Sequence, residues 1–437
     1  MSFNMNELII KKRDGGKLDR EEIAAWISGC ASGDIPDYQS SAMLMAIYFN
    51  GLDRDETFDL TESMRDSGDS LDFSDVEGIK VDKHSTGGVG DKVTLIASPI
   101  AAAAGVPIAK MSGRGLGCTG GTADKLASIP GFKTELPEEE FIRQVDDIGI
   151  AIVSQSGNLT PVDKKLYALR DVTGTVDNLS LIASSIMSKK LALGSDAMVI
   201  DVKCGSGAFF KTEEEATKAA KLMMSIGAKA GRRVAAVISS MDQPLGSAVG
   251  NSLEVMEAID VLKGRGADDI TRLSNIIAAI MIYMGGRAAS LNEAESKAAD
   301  ALLSGKALAK FRELVAAQGG DTGIIDDYGI LGLAAHSARV VARESGFVGS
   351  LNAEAIGISS QIAGAGRKKK EDNIDPHAGA VLLKKVGDSI TKGEEMAIIF
   401  GDDEEKLRDA VVKAEMAYEI TENEPKQSNL IKNILGV

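Results

Sequence analysis

From about residue 79 onward, short apolar segments alternate with stretches of helical periodicity, and this alternation limits the possible folds more than any other feature. The apolar segments cover residues 79–81, 106–111, 150–153, 198–202 and 234–239. Strands joined through helices lie parallel in a sheet, because the crossover helix returns the chain to the same edge. We therefore predict a large α/β domain with a mixed, mostly parallel sheet.

Two stretches show helical periodicity without any strand pattern. In the first 66 residues, Asp19 and Glu22 have the spacing of a capping pair at the start of a helix. The segment from about 161 to 194 interrupts the alternation in the same way. The predicted divisions are a small all-helical domain (1–66 plus 161–194), an α/β domain (79–154 plus 197–340), a barrel-like C-terminal α+β region packed on it (346–437), and hinges at 67–78 and 155–161.

The composition excludes several classes of protein. Sixty-four acidic residues against 49 basic ones give a net charge of −15 among 437 residues, which argues against nucleic-acid binding. The 3 cysteines are widely separated, so neither a disulfide framework nor a C-x-x-C metal site is available. We see no signal peptide and no window of about 18 uninterrupted apolar residues. We expect a soluble cytoplasmic protein that binds neither nucleic acid nor membrane.

A glycine-rich turn follows the first apolar segment. Residues 82–91, DKHSTGGVGD, place free backbone N–H groups beside a lysine and two hydroxyls. Such a turn at the start of a helix binds anions. The spacing is not that of a P-loop, and a turn that serves tight packing is the alternative. His84 is expected within the turn, where it favours a functional role.

A second glycine-rich turn, KMSGRGLGCTGGTAD at residues 110–124, follows the next apolar segment. It contains G-x-G-x-x-G, but Lys110, Ser112, Thr119 and Thr122 add phosphate ligands that distinguish it from a dinucleotide-binding turn. Because the two turns end successive strands, we expect them to lie side by side at the carboxyl edge of the sheet. There they could hold one phosphate group between them.

The inserted helical segment carries two notable cations, Arg170 and Lys189. Lysine and arginine on helices are most often exposed to solvent, and that interpretation stays open. The alternative is that the helical domain faces the two turns across a cleft, with both cations directed toward it.

Four motifs together resemble the thymidine/pyrimidine-nucleoside phosphorylase family. They are KHSTGGVGD at 83–91, SGRGLGCTGGTADKL at 112–126, YALRDVTGT at 167–175 and SSIMSKK at 184–190. The resemblance covers nearly the whole chain, including QPLGSAVGN at 243–251 and the C-terminal region. It implies a homodimer, in which a helical domain for dimerisation and base binding and an α/β domain close over nucleoside and phosphate.

The resemblance also implies the roles of individual residues. Phosphate would be held by Lys83, Ser85, Thr94, Ser112 and Thr122, with Lys110 nearby. The pyrimidine would be held by His84, Arg170, Ser185 and Lys189, with Leu116 and Ile182 packed on its ring. His84, Arg170 and Lys189 would act in catalysis.

The implied reaction is the reversible phosphorolysis of uridine, thymidine and deoxyuridine to the free base and (deoxy)ribose 1-phosphate. Inorganic phosphate is the co-substrate, and no organic cofactor is expected. Lys110 resembles the broader bacterial enzymes, which accept uridine as well as thymidine, whereas strict thymidine phosphorylases usually carry Met there. A strict thymidine phosphorylase, a phosphoribosyltransferase of similar architecture and a non-catalytic nucleoside-binding protein are the alternatives.

Four positions depart from the family pattern, two of them Cys204 and Ser206, where the family usually has Thr and Ala. Cys118 stands where the family usually has His. Members that bind potassium use positions matching Gly90, Lys92, Leu245, Ala248 and Glu257, and in them position 92 is normally Thr. Either the Lys92 ammonium takes the place of the cation and pairs with Glu257, or Lys92 points to solvent and the ion is bound by the rest.

Overall fold

The computed structural model describes residues 4–115, 120–155, 158–367, 372–426 and 428–437. Within them the helices are α1 (Met5–Arg13), α2 (Arg20–Ser32), α3 (Asp37–Asn50), α4 (Arg54–Arg65), α5 (Val93–Ala103), α6 (Thr122–Ala127), α7 (Glu138–Ile148), α8 (Pro161–Thr173), α9 (Leu179–Ala192), α10 (Glu213–Lys229), α11 (Asn251–Leu262), α12 (Asp268–Met284), α13 (Leu291–Leu303), α14 (Lys306–Ala317), α15 (Ala353–Ser360) and α16 (Glu404–Glu415). The strands are β1 (Val81–Ser85), β2 (Ile108–Ser112), β3 (Ile150–Ser154), β4 (Ala197–Cys204), β5 (Arg233–Ser240), β6 (Ala248–Val249), β7 (His336–Val341), β8 (Gly346–Leu351), β9 (Gly379–Leu382), β10 (Ser389–Ile390), β11 (Glu395–Gly401), β12 (Tyr418–Thr421) and β13 (Ile431–Leu435).

The N-terminal helices pack with the inserted helical segment. Helix α2 begins with the capping box that Asp19 and Glu22 predict. Buried side chains of α1 to α4 form one apolar cluster with Val162 and Leu166 of α8 and Leu181 of α9. Two separated pieces of the chain therefore share one small helical core.

Helix α9 also packs against the α/β domain. Its residues Ile182, Met187 and Leu191 belong to a second apolar cluster that includes buried side chains of β4 and α10. Because α9 contributes to both cores, its polar residues have a fixed position relative to the sheet.

The sheet of the α/β domain is mixed and mostly parallel, as the alternation predicts. Strands β1, β4 and β5 are parallel neighbours, and β13 lies antiparallel to β5. Strands β2 and β3 form a second parallel pair. The Val81 N–H donates to the Pro107 carbonyl just before β2, at 3.0 Å, so the two groups of strands are neighbours.

The position of β1 corrects one sequence-based expectation. The strand runs over Val81–Ser85, later than the predicted 79–81, because its polar residues pair with Ala197–Asp201 of the buried strand β4. Pairing with a central strand outweighs the weak strand preference of Asp and Lys. His84 therefore lies on the strand and not in the glycine-rich turn that follows it.

The C-terminal α+β region contains two antiparallel sheets, with strand orders β6-β9-β11-β7 and β10-β8-β12. Strand β6 comes from the preceding part of the chain, so the first of these sheets joins the region to the α/β domain. Among the described residues, no helix is long and apolar enough to cross a membrane.

Candidate active site

The first glycine-rich turn begins at the end of β1 and leads into α5. The Thr86 N–H donates to the Asp201 carbonyl at 3.0 Å, which extends the pairing with β4 by one residue. The chain then turns through Gly87 and Gly90, whose φ angles of 96° and 73° are positive. Helix α5 follows directly and carries Thr94, buried in its first turn. The positive end of a helix dipole thus points back toward the turn.

Lys83 lies at the base of this turn. Its side chain is buried, and no described acceptor bonds to Nζ. The nearest carboxylate, that of Asp91, is 3.8 Å away. Burial lowers the pKa of Lys83, since desolvation disfavours the charged form. An ammonium group in this state gains more from an incoming anion than a solvated one would.

Asp91 offsets part of the positive charge around Lys83. Burial alone would raise its pKa, but the ammonium groups of Lys83, Lys203 and Lys125 lower it well below its usual value. The carboxylate is therefore ionised at neutral pH, and the buried lysines are partly neutralised before any ligand binds.

The second glycine-rich turn lies beside the first, as expected. Lys125 of α6, which follows the second turn, donates to the Asp91 carbonyl of the first turn at 2.7 Å. Its ammonium also pairs with Glu254 at 2.8 Å. Thr122 opens α6. Leu116, Cys118 and Thr119, which the sequence singled out, lie outside the described residues.

Ser112 ends β2 directly opposite Ser154, which ends β3. The Ser154 hydroxyl is buried, and the described residues provide it with no hydrogen-bond partner. Sequence reasoning missed this residue, although it follows the apolar segment of β3 as Ser112 follows that of β2. Both hydroxyls lie at the same edge of the sheet.

Lys110 shares its partners with Lys190 of α9. Both ammonium groups donate to the Met111 carbonyl, at 2.8 and 2.9 Å. Lys190 also pairs with Asp82 at 2.7 Å, whereas Lys110 is 3.8 Å from that carboxylate. Burial and the Lys190 charge lower the pKa of Lys110 well below its usual value. The contact of Lys190 with Asp82 joins α9 to β1.

His84 lies near charged residues from both domains. Burial and the ammonium groups of Lys190, Lys110, Lys83 and Lys189 lower its pKa well below its usual value. The imidazole is therefore neutral at physiological pH and can donate or accept a hydrogen bond there.

Arg170 is held in the helical domain and is not an exposed helix charge. Its side chain is buried and donates to the carbonyls of Thr175 at 3.2 Å and Leu181 at 3.1 Å, and also to that of Val176. These bonds fix the plane of the guanidinium group.

Lys189 is oriented by Asp163, a buried residue of α8 that sequence reasoning missed. The ammonium bonds to the Asp163 carboxylate and lies 2.9 Å from the Ser185 hydroxyl. The Asp163 charge also acts on Arg170. Ile182 lies on α9, one turn before Ser185 and Lys189. The predicted base-side residues of α9 thus lie close together, and Lys190 links that helix to β1 and β2.

Lys92 lies in a cage of oxygen atoms and does not point to solvent. Its Nζ donates to the carbonyls of Leu245 at 3.0 Å and Ala248 at 2.9 Å, and to the Glu257 carboxylate. Glu257 also accepts the Ala248 N–H, at 2.8 Å. A Cβ at Gly90 would be 2.5 Å from the Leu245 carbonyl oxygen, so only glycine fits against this loop.

Comparisons with known proteins give matches over most of the chain. Three family models match: the helical bundle domain of the glycosyl transferase family over residues 6–68, its a/b domain over 77–308, and the pyrimidine nucleoside phosphorylase C-terminal domain over 347–421. The chain is 53% identical over 403 residues to a pyrimidine-nucleoside phosphorylase of Geobacillus stearothermophilus, an alignment that covers 92% of this chain and 93% of the relative. It is 52% identical over 402 residues to the enzyme of that name from Bacillus subtilis, with the same coverage, 92% and 93%.

A solved structure shares the fold. Anthranilate phosphoribosyltransferase from Thermus thermophilus superposes with a TM-score of 0.58 at 20% identity, over 71% of this chain and 98% of that protein. A sequence identity this low supports a shared fold and no statement about function.

Proposed function

The chain belongs to the thymidine/pyrimidine-nucleoside phosphorylase family, and from this premise we propose how its residues carry out the phosphorolysis of pyrimidine nucleosides. The enzyme cleaves the nucleoside with inorganic phosphate to give free base and pentose 1-phosphate, and it needs no organic cofactor. The observation that carries the proposed mechanism is the buried ammonium of Lys83, which lacks an acceptor among the described residues at the base of two glycine-rich turns.

On the phosphate side, Lys83, Ser85, Thr94, Ser112 and Thr122 hold the anion, with Lys110 nearby. Backbone N–H groups of the turns and the α5 dipole supplement the ammonium charge. Binding removes water from the phosphate and directs one oxygen at the anomeric carbon of the sugar. Much of the entropic cost of bringing the reactants together is met before the chemical step.

On the base side, Arg170, Lys189 and Ser185 contact the pyrimidine, with Ile182 and Leu116 against its ring. As the bond between the anomeric carbon and N1 breaks, the electron pair stays with the base, and its carbonyl oxygens gain negative charge. Cationic donors stabilise that charge in the transition state more than in the ground state. Neutral His84 adds a hydrogen bond without further charge.

The sugar passes through an oxocarbenium-like state while the phosphate oxygen forms its bond on the opposite face. The anomeric carbon is inverted, and no covalent enzyme intermediate is required. Lys110 supports a broad preference that includes uridine, thymidine and deoxyuridine; a strict thymidine phosphorylase is the runner-up.

Potassium does not fit the cage around Lys92 in this chain. The ammonium already donates to the two carbonyls and the carboxylate that would bind the ion. A second cation beside it would face charge repulsion with no further ligand gained. We infer that the Lys92 ammonium takes the place of potassium and is a permanent positive charge at this position.

We also infer a homodimer that forms through the helical domain. Tyr38 and Phe49, about three turns apart on one face of α3, are 74% and 77% exposed, and Val172 of α8 is 78% exposed. Association of two copies would remove this apolar surface from water. Light scattering is expected to give twice the chain mass, and Phe49→Asp is expected to reduce it. A monomer in the unmodified protein would contradict the inference.

The reaction is tested by following base release from uridine, thymidine, deoxyuridine and cytidine with and without phosphate. We expect release only with phosphate, from uridine as well as thymidine. Lys189→Met should lower kcat/KM about 10²-fold, because it removes a donor at the developing charge. Lys164→Met, at an exposed lysine of α8, is the matched control.

Other outcomes would identify the alternatives. Thymidine binding without base release would indicate a non-catalytic nucleoside-binding protein. Consumption of phosphoribosyl pyrophosphate would indicate a phosphoribosyltransferase. Release from thymidine but not from uridine would leave the reaction in place and contradict the broad preference.

A further inference from the structure

Lys385 extends from the C-terminal region to a loop of the α/β domain. It lies in the segment that follows β9, and its Nζ donates to the carbonyls of Pro244 and Gly246, at 2.9 Å each. It also pairs with the Asp269 carboxylate. The Asp269 carboxylate in turn accepts the Gly246 N–H at 3.2 Å. Lys385 and Asp269 therefore both hold the loop at Gly246.

The opposite side of the same loop contacts the first glycine-rich turn. While the carbonyls of Pro244 and Gly246 face Lys385, those of Leu245 and Ala248 face Lys92. The Leu245 N–H donates to the Val89 carbonyl, within the turn, at 3.0 Å. The loop thus lies between two ammonium groups, one from each region.

The turn and this loop are in direct backbone contact. A Cβ at Gly90 would be 2.5 Å from the Leu245 carbonyl oxygen and 3.2 Å from that of Ala248, so backbone meets backbone directly. Well-packed contacts of this kind transmit small displacements. A shift of the loop would therefore move Val89 and Gly90, which are part of the turn.

Other contacts between the C-terminal region and the loop are made by the backbone and by Gln243. The Leu382 N–H donates to the Ser247 carbonyl at 2.8 Å, and the Val386 N–H to the Gln243 side chain at 3.1 Å. These contacts keep the loop attached to the C-terminal region when the lysine is changed, so a substitution at Lys385 should shift the loop and not unfold it. Burial alone would raise the pKa of Asp269, but the Lys385 ammonium lowers it, so this carboxylate is ionised at neutral pH.

We propose that Lys385 is a positioning residue for the phosphate-binding turn, through which the C-terminal region sets the affinity for phosphate. Lys385 touches neither the turn nor, in the proposed mechanism, the substrates; it acts through the carbonyls of Pro244 and Gly246. The inference rests on the proposed function, because it assumes that the turn binds phosphate.

The test compares Lys385→Met with Lys384→Met. Lys384 is the matched control, because among the described residues its ammonium contacts the Ser389 carbonyl and Glu394, both within the same region. We expect Lys385→Met to raise the KM for phosphate about tenfold while the KM for uridine changes less than about twofold. Lys384→Met should leave both values unchanged. Lys385→Arg should recover part of the phosphate affinity.

The phosphate-induced rise in melting temperature is measured on the same variants, since it needs no turnover. Lys385→Met should require more phosphate for the same rise. Equal behaviour of the Lys385 and Lys384 variants in both measurements would overturn the proposal, as would a parallel increase in both KM values. Absence of base release by the unmodified enzyme would contradict the proposed function instead, and the melting measurement would still decide the role of Lys385.

Discussion

Two buried lysines at either end of one glycine-rich turn have opposite surroundings. No described acceptor bonds the Lys83 ammonium, and the Asp91 carboxylate is 3.8 Å away. Lys92 ends among two carbonyls and the Glu257 carboxylate. Both side chains are 1% exposed or less.

The difference separates a binding group from a structural one. A buried charge without hydrogen bonds destabilises the folded chain, so it is retained where a ligand supplies the missing contacts. An ammonium whose three N–H donors are all matched by acceptors of the protein, as at Lys92, has none left to offer a ligand. Lys83 is therefore the group that binds an anion, whereas Lys92 stabilises the turn next to Lys83.

The largest expected effect is on activity at Lys83. Lys83→Met should lower kcat/KM for phosphorolysis about 10²–10³-fold, because it removes the main cation at the bound phosphate. The free energy of unfolding should stay equal or rise, since an ammonium that no described acceptor bonds is replaced by an apolar side chain of similar length, while Asp91 keeps the charges of Lys203 and Lys125. Steady-state kinetics and urea unfolding measure the two quantities. If Lys83→Met keeps its kcat/KM within about threefold of the unmodified enzyme, Lys83 is not the phosphate-binding cation.

At Lys92 the larger effect should be on stability. Lys92→Met leaves the Glu257 carboxylate and the carbonyls of Leu245 and Ala248 without their donor, and breaking a buried pair from one side costs about 3–5 kcal/mol. The kcat/KM of the folded variant should fall less than that of Lys83→Met. Urea unfolding of the two variants side by side tests the contrast; similar stabilities would contradict it.

A smaller effect concerns monovalent cations. Lys92→Thr removes the ammonium and leaves its oxygen ligands, so potassium should stabilise this variant by about 1–3 kcal/mol relative to choline at equal ionic strength. The unmodified protein should melt at the same temperature in both salts. Strong stabilisation or activation of the unmodified enzyme by potassium would show that Lys92 does not replace the ion.

Much of this architecture could be predicted from the sequence, since it depends on local patterns. The alternation of apolar and helical segments gives the parallel sheet, and the capping pair Asp19–Glu22 marks the start of α2. The start of β1 could not be predicted from its own residues. Lys83 and His84 enter the strand only through pairing with β4, which lies more than 100 residues later in the chain.

The residues of the candidate site could also be predicted only in part. Motif resemblance identified Arg170 and Lys189, but not Asp163, which acts on both and lies on another turn of α8. Lys190 and Asp82 were inside or beside the recognised motifs, yet only the packing of α9 against β1 brings them to 2.7 Å. Residues whose role depends on a partner from a distant segment leave no signal in one sequence.

The most direct test of the distinction between the two lysines is the rise in melting temperature that phosphate causes in the unmodified protein, Lys83→Met and Lys92→Met, with chloride at equal ionic strength as the reference. We expect a clear rise in the unmodified protein, none in Lys83→Met, and a rise from a lower starting temperature in Lys92→Met. A phosphate response that survives in Lys83→Met, or that is lost equally in both variants, would contradict the assignment of Lys83 as the phosphate-binding cation.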